Sequence, residues 1–120
     1  MLETAMRSKE GFDTVFKTEN FKCAYITKCP QYAFGEVSEM KRHLKTDEVF
    51  VLLKGEAVML IMEDGGFSET PLKEMCAYSV KAGTWHYLGV SDDALLFVTE
   101  NADTDNTNSE VIKLENPYIL

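Results

Sequence analysis

The stretch MKRHLKTDEVFVLLKGEAVML, from Met40 to Leu60, decides the fold. Two runs rich in apolar residues, Glu48–Lys54 and Glu56–Met62, flank the single Gly55. This pattern predicts two neighbouring strands joined by a tight turn. His43 precedes the first run, and Glu48 begins it. These two polar residues at the mouth of a strand are either half of a metal site or an ordinary polar pair.

Short strands are predicted along most of the chain. Further runs of apolar and β-branched residues are Phe21–Thr27, Met75–Val80, Ala94–Glu100 and Glu110–Leu114. Glycines and prolines separate them at short intervals, with a turn at Glu63–Gly66, which predicts an all-β sandwich or closed barrel. The only helical candidate is Thr4–Lys9. At 120 residues we expect one domain, with 1–20 as an N-terminal extension, 21–114 as the barrel and 115–120 as a tail.

Composition excludes some classes of partner. The 20 acidic and 12 basic residues give a net charge of −8, which argues against nucleic-acid binding because phosphates require a basic surface. The apolar runs are far shorter than the ~20 residues of a membrane-spanning helix, and residues 1–16 contain no apolar signal sequence. We therefore expect a cytoplasmic protein, with Cys23, Cys29 and Cys76 as free thiols.

The spacing of both histidines resembles the two signature motifs of the cupin superfamily. The positions that carry this resemblance are Gly35, His43, Glu48 and Gly55 in the first motif, and Gly83 and His86 in the second. The resemblance implies a small single-domain cupin-type β-barrel, also described as a double-stranded β-helix or jelly roll. It implies a divalent metal (Zn, Fe, Mn or Ni) and small-molecule ligands. It also implies a homodimer.

The chain departs from the cupin pattern at three positions. Lys41 replaces the first histidine of motif one, Lys81 replaces the proline of motif two, and Val90 replaces its asparagine. The implied ligand set of three histidines and one glutamate is therefore reduced to His43, Glu48 and His86. A protonated lysine cannot bind a metal, so we expect Lys41 to hold an anionic substrate group or to act as a base.

Strand geometry independently favours a common site. Side chains alternate in a strand, so Lys41 and His43 share one side, and Phe50 and Leu52 follow Glu48 inward to line a ligand pocket. A barrel can add His86 from a distant strand. Two imidazoles and one carboxylate form a facial site for a divalent metal with open positions.

Several functions remain open at this point. The first is a metal-dependent enzyme acting on a small polar or carboxylated metabolite, with lyase, isomerase and dioxygenase chemistry undistinguished. The second is a metal-free ligand-binding or sensing protein, and the third is a degenerate barrel kept for its dimer surface. A narrower resemblance of KRHLKTDEVFVLLKGE (41–56) and of Thr84–His86 to the ureidoglycolate lyase branch of the cupins implies a lyase of that type.

Three further expectations concern surfaces and loops. The outward side chains Val49, Val51 and Leu53 are apolar and require cover from a second sheet or subunit, which agrees with a dimer. Trp85 is adjacent to His86, so in a strand it faces away from the pocket. Asp103–Glu110 resembles a calcium loop but lacks the turn glycine, which predicts a solvated loop.

Overall fold

The computed structural model describes all 120 residues, and they form ten strands and one short 3-10 turn, Pro30–Tyr32. The strands are β1 (Phe12–Lys17), β2 (Phe21–Ile26), β3 (Glu36–His43), β4 (Glu48–Lys54), β5 (Ala57–Glu63), β6 (Gly66–Pro71), β7 (Ala77–Val80), β8 (Trp85–Val90), β9 (Leu95–Asn101) and β10 (Ser109–Ile119). The first sheet has the order β1-β2-β9-β4-β7, and the second has the order β10-β3-β8-β5-β6. All strand pairs within these sheets are antiparallel. The 3-10 turn is the only helical segment, so the chain has no helix that could span a membrane.

The two sheets face each other around one apolar core of fourteen buried residues, to which both sheets contribute. Strand β4 shows how the sequence builds this core. Phe50 and Leu52 are buried in it, while the alternate residues Val49 and Val51 are half-buried on the opposite face. Burial of each large core side chain stabilises the fold by about 1.5–3 kcal/mol. The all-β prediction is therefore confirmed, and the alternation of buried and half-buried residues along β4 agrees with it.

The predicted hairpin around Gly55 is wrong. β4 pairs with β7 and β9 in the first sheet, whereas β5 pairs with β6 and β8 in the second. The chain changes sheets at Gly55, which has a φ of +82°. A Cβ atom there would lie 2.7 Å from the Cα atom of Ala94, so only glycine fits this close approach. A glycine after a strand occurs both in hairpins and in corners between sheets, and sequence spacing alone does not separate them.

The ends of the chain differ from the predicted boundaries. Residues 12–17, expected in an extension, form β1 and pair with β2, and β10 continues to Ile119 through the expected tail. The segment Thr4–Lys9 is not helical. Instead, the backbone N–H groups of Ser8 and Lys9 donate hydrogen bonds to the Asp13 carboxylate. The sheet edge and this acceptor together outweigh the local helix preference.

A second apolar cluster covers the outer face of the second sheet. Val37, Met40 and Leu60 are buried in it, and Trp85 packs against them. The Arg42 guanidinium lies 4.4 Å from the centre of the Trp85 ring. Trp85 therefore faces away from the interior between the sheets, as its position next to His86 predicted. All three cysteines are free, as the odd count predicted.

Candidate metal centre

A cavity of about 930 Å³ opens between the sheets where β3 and β8 meet. These two strands are in register at a single pair, Lys41 opposite His86, whereas the neighbouring strands of the same sheet pair over five or more positions. Residues opposite each other in an antiparallel pair place their Cβ atoms about 5 Å apart on the same face. The pairing therefore puts the Lys41 and His86 side chains on the same side of the sheet, and both line the cavity.

Three predicted ligands meet in this cavity. The Nε2 atoms of His43 and His86 lie 3.5 Å and 3.3 Å from Oε1 of Glu48. The ligand atoms of all three side chains lie within 4.8 Å of one another. Glu48 and His86 are buried, and His43 is partly buried. β3, β4 and β8 each supply one of the three side chains, so both sheets contribute to the group.

The hydrogen bonds of the imidazoles bear on their metal-binding capacity. Nδ1 of His86 lies 2.9 Å from the carbonyl oxygen of Thr84, which can only accept, so Nδ1 must carry the proton. In a neutral ring Nε2 then presents a lone pair toward Glu48. Nδ1 of His43 contacts the Ser109 hydroxyl at 2.7 Å, which can donate or accept. Metal-binding histidines typically use their second ring nitrogen in this way.

Glu48 remains charged despite its burial. Burial raises the pKa of this carboxyl, but hydrogen bonds from His43 and His86 and the charges of those rings outweigh it and lower the pKa to about 2. An ionised carboxylate is the form that coordinates a metal. At neutral pH, therefore, Glu48 is ready either to bind a cation or to pair with protonated imidazoles.

Glu100 is a further ionisable group lining the cavity that the sequence motifs did not reveal. It is buried on β9, and the register of β4 and β9 (Val49 opposite Thr99) makes it the cross-strand neighbour of Glu48. Burial and the Glu48 charge raise the pKa of Glu100 to about 7. The sequence of β9 could have predicted this position. Its inward residues are Leu96, Val98 and Glu100, so a carboxylate occupies the third inward position of an otherwise apolar strand.

The other predicted pocket residues divide into two groups. Lys41 and Phe50 line the cavity, but Leu52 does not. Leu52 lies two residues further along β4 and is fully enclosed by the core, so its prediction as a pocket residue is corrected. Tyr32, which the sequence did not single out, also lines the cavity, and burial raises its pKa.

The loop between β9 and β10 contributes to the cavity wall. Asp105 and Asn106 line the cavity, although the sequence predicted only a solvated loop. The loop is held by its own side chains: Asn108 accepts a hydrogen bond from the Asp105 N–H and donates one to the Asp103 carbonyl. The Asp105 carboxylate accepts hydrogen bonds from the N–H and the hydroxyl of Thr107, so this acidic group is used within the loop.

Comparisons with known proteins identify solved structures that share this fold. No family model and no curated protein matches the sequence. Among solved structures, KdgF from Halomonas sp. has a TM-score of 0.60 at 15% identity, covering 80% of this chain and 81% of that protein. A cupin-2 domain protein from Shewanella frigidimarina has a TM-score of 0.60 at 15% identity, with coverage of 78% and 83%.

A third similar structure contains a bound sugar nucleotide. The 3,4-ketoisomerase QdtA from Thermoanaerobacterium thermosaccharolyticum, in complex with TDP-4-keto-6-deoxyglucose, has a TM-score of 0.61 at 17% identity. The match covers 73% of this chain and 63% of that protein. Likeness at this level of identity establishes the fold. The fold that the histidine and glutamate spacing predicted is the fold of these proteins.

Proposed function

We propose that this chain, which has the cupin fold, holds a divalent metal between His43, Glu48 and His86 and binds or acts on a small polar or carboxylated metabolite in its cavity. The observation that supports the proposal most is the orientation of His86. Its Nδ1 proton is committed to the Thr84 carbonyl, so a neutral ring would direct a lone pair at the Glu48 carboxylate 3.3 Å away. Two facing lone pairs repel each other, and a metal between them removes that repulsion.

The chemistry of the donor set fits such a metal. Two imidazole nitrogens and one carboxylate oxygen suit Zn, Fe, Mn or Ni and leave coordination positions open. When bound, the metal would supply Lewis-acid polarisation of a substrate oxygen. The chain's own contribution would be to orient the ligand, with Lys41 as the cationic partner for its anionic group. The identity of the substrate would decide between lyase, isomerase and dioxygenase activity.

Metal content tests this proposal directly. Protein purified without an affinity tag should contain about one divalent metal per chain by elemental analysis. Removal of the metal with a chelator should lower the melting temperature, and adding it back should restore that temperature, because a ligand that binds only the folded state stabilises it. A protein that contains no metal, and whose melting temperature does not respond to Zn²⁺, Mn²⁺, Fe²⁺ or Ni²⁺, would rule out the metal centre.

A metal-free ligand-binding or sensing protein is the second candidate, because Lys41 stands where the first motif has a histidine. In that case the two imidazoles would pair directly with Glu48 at the observed 3.3–3.5 Å. The same elemental analysis separates the two candidates. Stabilisation of the chelated protein by carboxylate ligands would then identify the sensing role.

Lys41 provides a further prediction for either candidate. It lines the cavity opposite His86 and forms no ion pair. Lys41→Met keeps the aliphatic stem and removes the charge, so we expect an almost unchanged melting temperature. Affinity for a carboxylate ligand found by screening should fall about 10–100-fold, the value of one charge-assisted hydrogen bond. Calorimetric titration measures it, with the exposed Lys73→Met as control.

Equal loss of affinity in the Lys41 and Lys73 variants would mean that only the overall charge matters. Unchanged affinity in both variants would assign Lys41 to the surface rather than to ligand binding.

We also propose a homodimer formed through the outer face of the first sheet. Tyr25, Phe97, Val51 and Ala77 form an uninterrupted row across four strands on this face. Val51→Glu would bury a charge in such an interface, so the dimer should dissociate at micromolar concentration in light-scattering measurements of mass. Thr70→Glu on the exposed edge strand β6 is the control. Dissociation by the Thr70 variant alone would instead place the interface at that edge.

A further inference from the structure

Three charged side chains form a row across the first sheet and point into the cavity. Lys22 pairs in register with Glu100, and Glu100 is the next cross-strand neighbour of Glu48. All three line the cavity. Like charges directly opposite in a sheet destabilise it, so this arrangement requires a compensating positive charge.

Lys22 compensates only part of this charge. Its ammonium lies 3.7 Å from Oε1 of Glu100 and also donates a hydrogen bond to the Thr104 carbonyl. The second oxygen, Oε2 of Glu100, is buried and has no hydrogen-bond partner. Because the side chain is only 5% exposed, water does not replace that partner freely. A buried carboxylate oxygen without a partner loses its hydration without compensation. Lys22 therefore leaves Oε2 of Glu100 without a partner, next to a second carboxyl group on the neighbouring strand.

We propose that Glu100 is a fourth protein ligand of the cation bound at His43, Glu48 and His86. The inference rests on the metal centre proposed above and extends it to a residue outside both motifs. Glu100 supplies the donor that Lys41 cannot, since a protonated lysine has no lone pair. A divalent cation between Glu48 and Glu100 would attract both carboxylates, which offsets their mutual repulsion, and would give Oε2 a partner.

The proposal also specifies the chemical character of the site. With a second carboxylate, two imidazoles and two negative charges face the cation, which neutralises the charge of a divalent ion. A site of this composition favours Mn²⁺, Fe²⁺ or Co²⁺ over soft ions, because carboxylate oxygens are hard donors.

Co²⁺ binding to the chelator-treated protein tests the role of Glu100, because the visible spectrum of Co²⁺ reports on its ligands. Glu100→Gln removes the carboxylate and keeps the shape. We expect it to weaken Co²⁺ binding at least about 10-fold and to alter the spectrum. Glu39→Gln is the matched control, because Glu39 is exposed and lines the same cavity. That variant makes the same change in net charge and should shift affinity less than threefold, roughly, without spectral change.

A second variant separates ligation from charge. Glu100→Asp retains the charge but withdraws the carboxylate, so it should also alter the spectrum, and it gives a second protein to measure if the first does not fold. Identical Co²⁺ spectra in the parent and both Glu100 variants would overturn the inference, even with weaker binding, while parent binding would preserve the proposed centre. Failure of the parent itself to bind Co²⁺ would overturn the centre and this inference together.

Discussion

Replacing His86 with alanine is expected to abolish stoichiometric metal binding, with a loss of affinity greater than about 100-fold. Removal of a hydrogen-bond partner of a metal ligand costs about 10–100-fold, and removal of the ligand itself costs more. His86 is buried and its ring is fixed by the Thr84 carbonyl, so no other side chain of its type can replace it. His43→Ala should have the same effect. Elemental analysis after gel filtration and calorimetric titration of the chelated protein measure both.

Ser109→Ala provides a graded control for this loss. It leaves every ligand in place and removes only the hydroxyl that contacts Nδ1 of His43 at 2.7 Å. We expect about a 10-fold loss of affinity with unchanged stoichiometry. Metal content equal to that of the parent in either alanine variant of a histidine would mean that the metal is bound elsewhere. Unfolding curves of the chelated variants, followed by fluorescence of Trp85, the only tryptophan, verify that they remain folded.

The sequence predicted that His43, Glu48 and His86 come together because motif spacing fixes positions along strands. His43 ends β3 and Glu48 begins β4, so a short connection holds them together in any barrel of this type. Alternation then predicted correctly that Phe50 turns inward and that Trp85 turns away from the cavity. These are properties of one strand at a time, which a local pattern contains.

The features that the sequence did not predict depend on which strands become neighbours. Gly55 marks a change of sheet rather than a hairpin, because Ala94 of a distant segment packs against it. Glu100 belongs to the site only because β9 pairs with β4 in a particular register, 52 residues along the chain from Glu48. Leu52 follows the inward pattern but is enclosed by the apolar core and does not line the cavity. Register and depth are set by tertiary pairing, which spacing within one strand does not encode.

Between about pH 4.5 and pH 7, the stability of the metal-free protein is expected to fall because of Glu100. Its pKa is raised from 4.5 in the unfolded chain to about 7 in the fold by burial and the charge of Glu48. The folded state therefore binds this proton more tightly. The resulting stability is complete below pH 4.5 and is lost as the pH rises through 7. Glu48 acts in the opposite direction: its pKa is lowered, so its contribution is lost as the pH falls from 4.5 toward 2.

Glu100→Gln should remove the loss of stability above pH 4.5, because the amide does not ionise. At pH 8 the metal-free variant is expected to be more stable than the parent by about 2–3 kcal/mol, and the difference should vanish near pH 4.5. Urea unfolding in the presence of a chelator, at four or five pH values across this range, measures it. Glu39→Gln controls for net charge and should follow the parent profile, since Glu39 is exposed.

The comparison with the parent measures the contribution of Glu100 together with its electrostatic coupling to Glu48 and His43, whose charges act on it in the fold. Parallel profiles for the parent and the Glu100 variant would mean that neither burial nor the charge of Glu48 raises the pKa of Glu100 in the folded protein. A saturating divalent metal should reverse the order at pH 8, since the cation binds the two carboxylates that repel each other without it. A residue that destabilises the metal-free protein and stabilises the metal-bound protein has a role in metal binding rather than in folding.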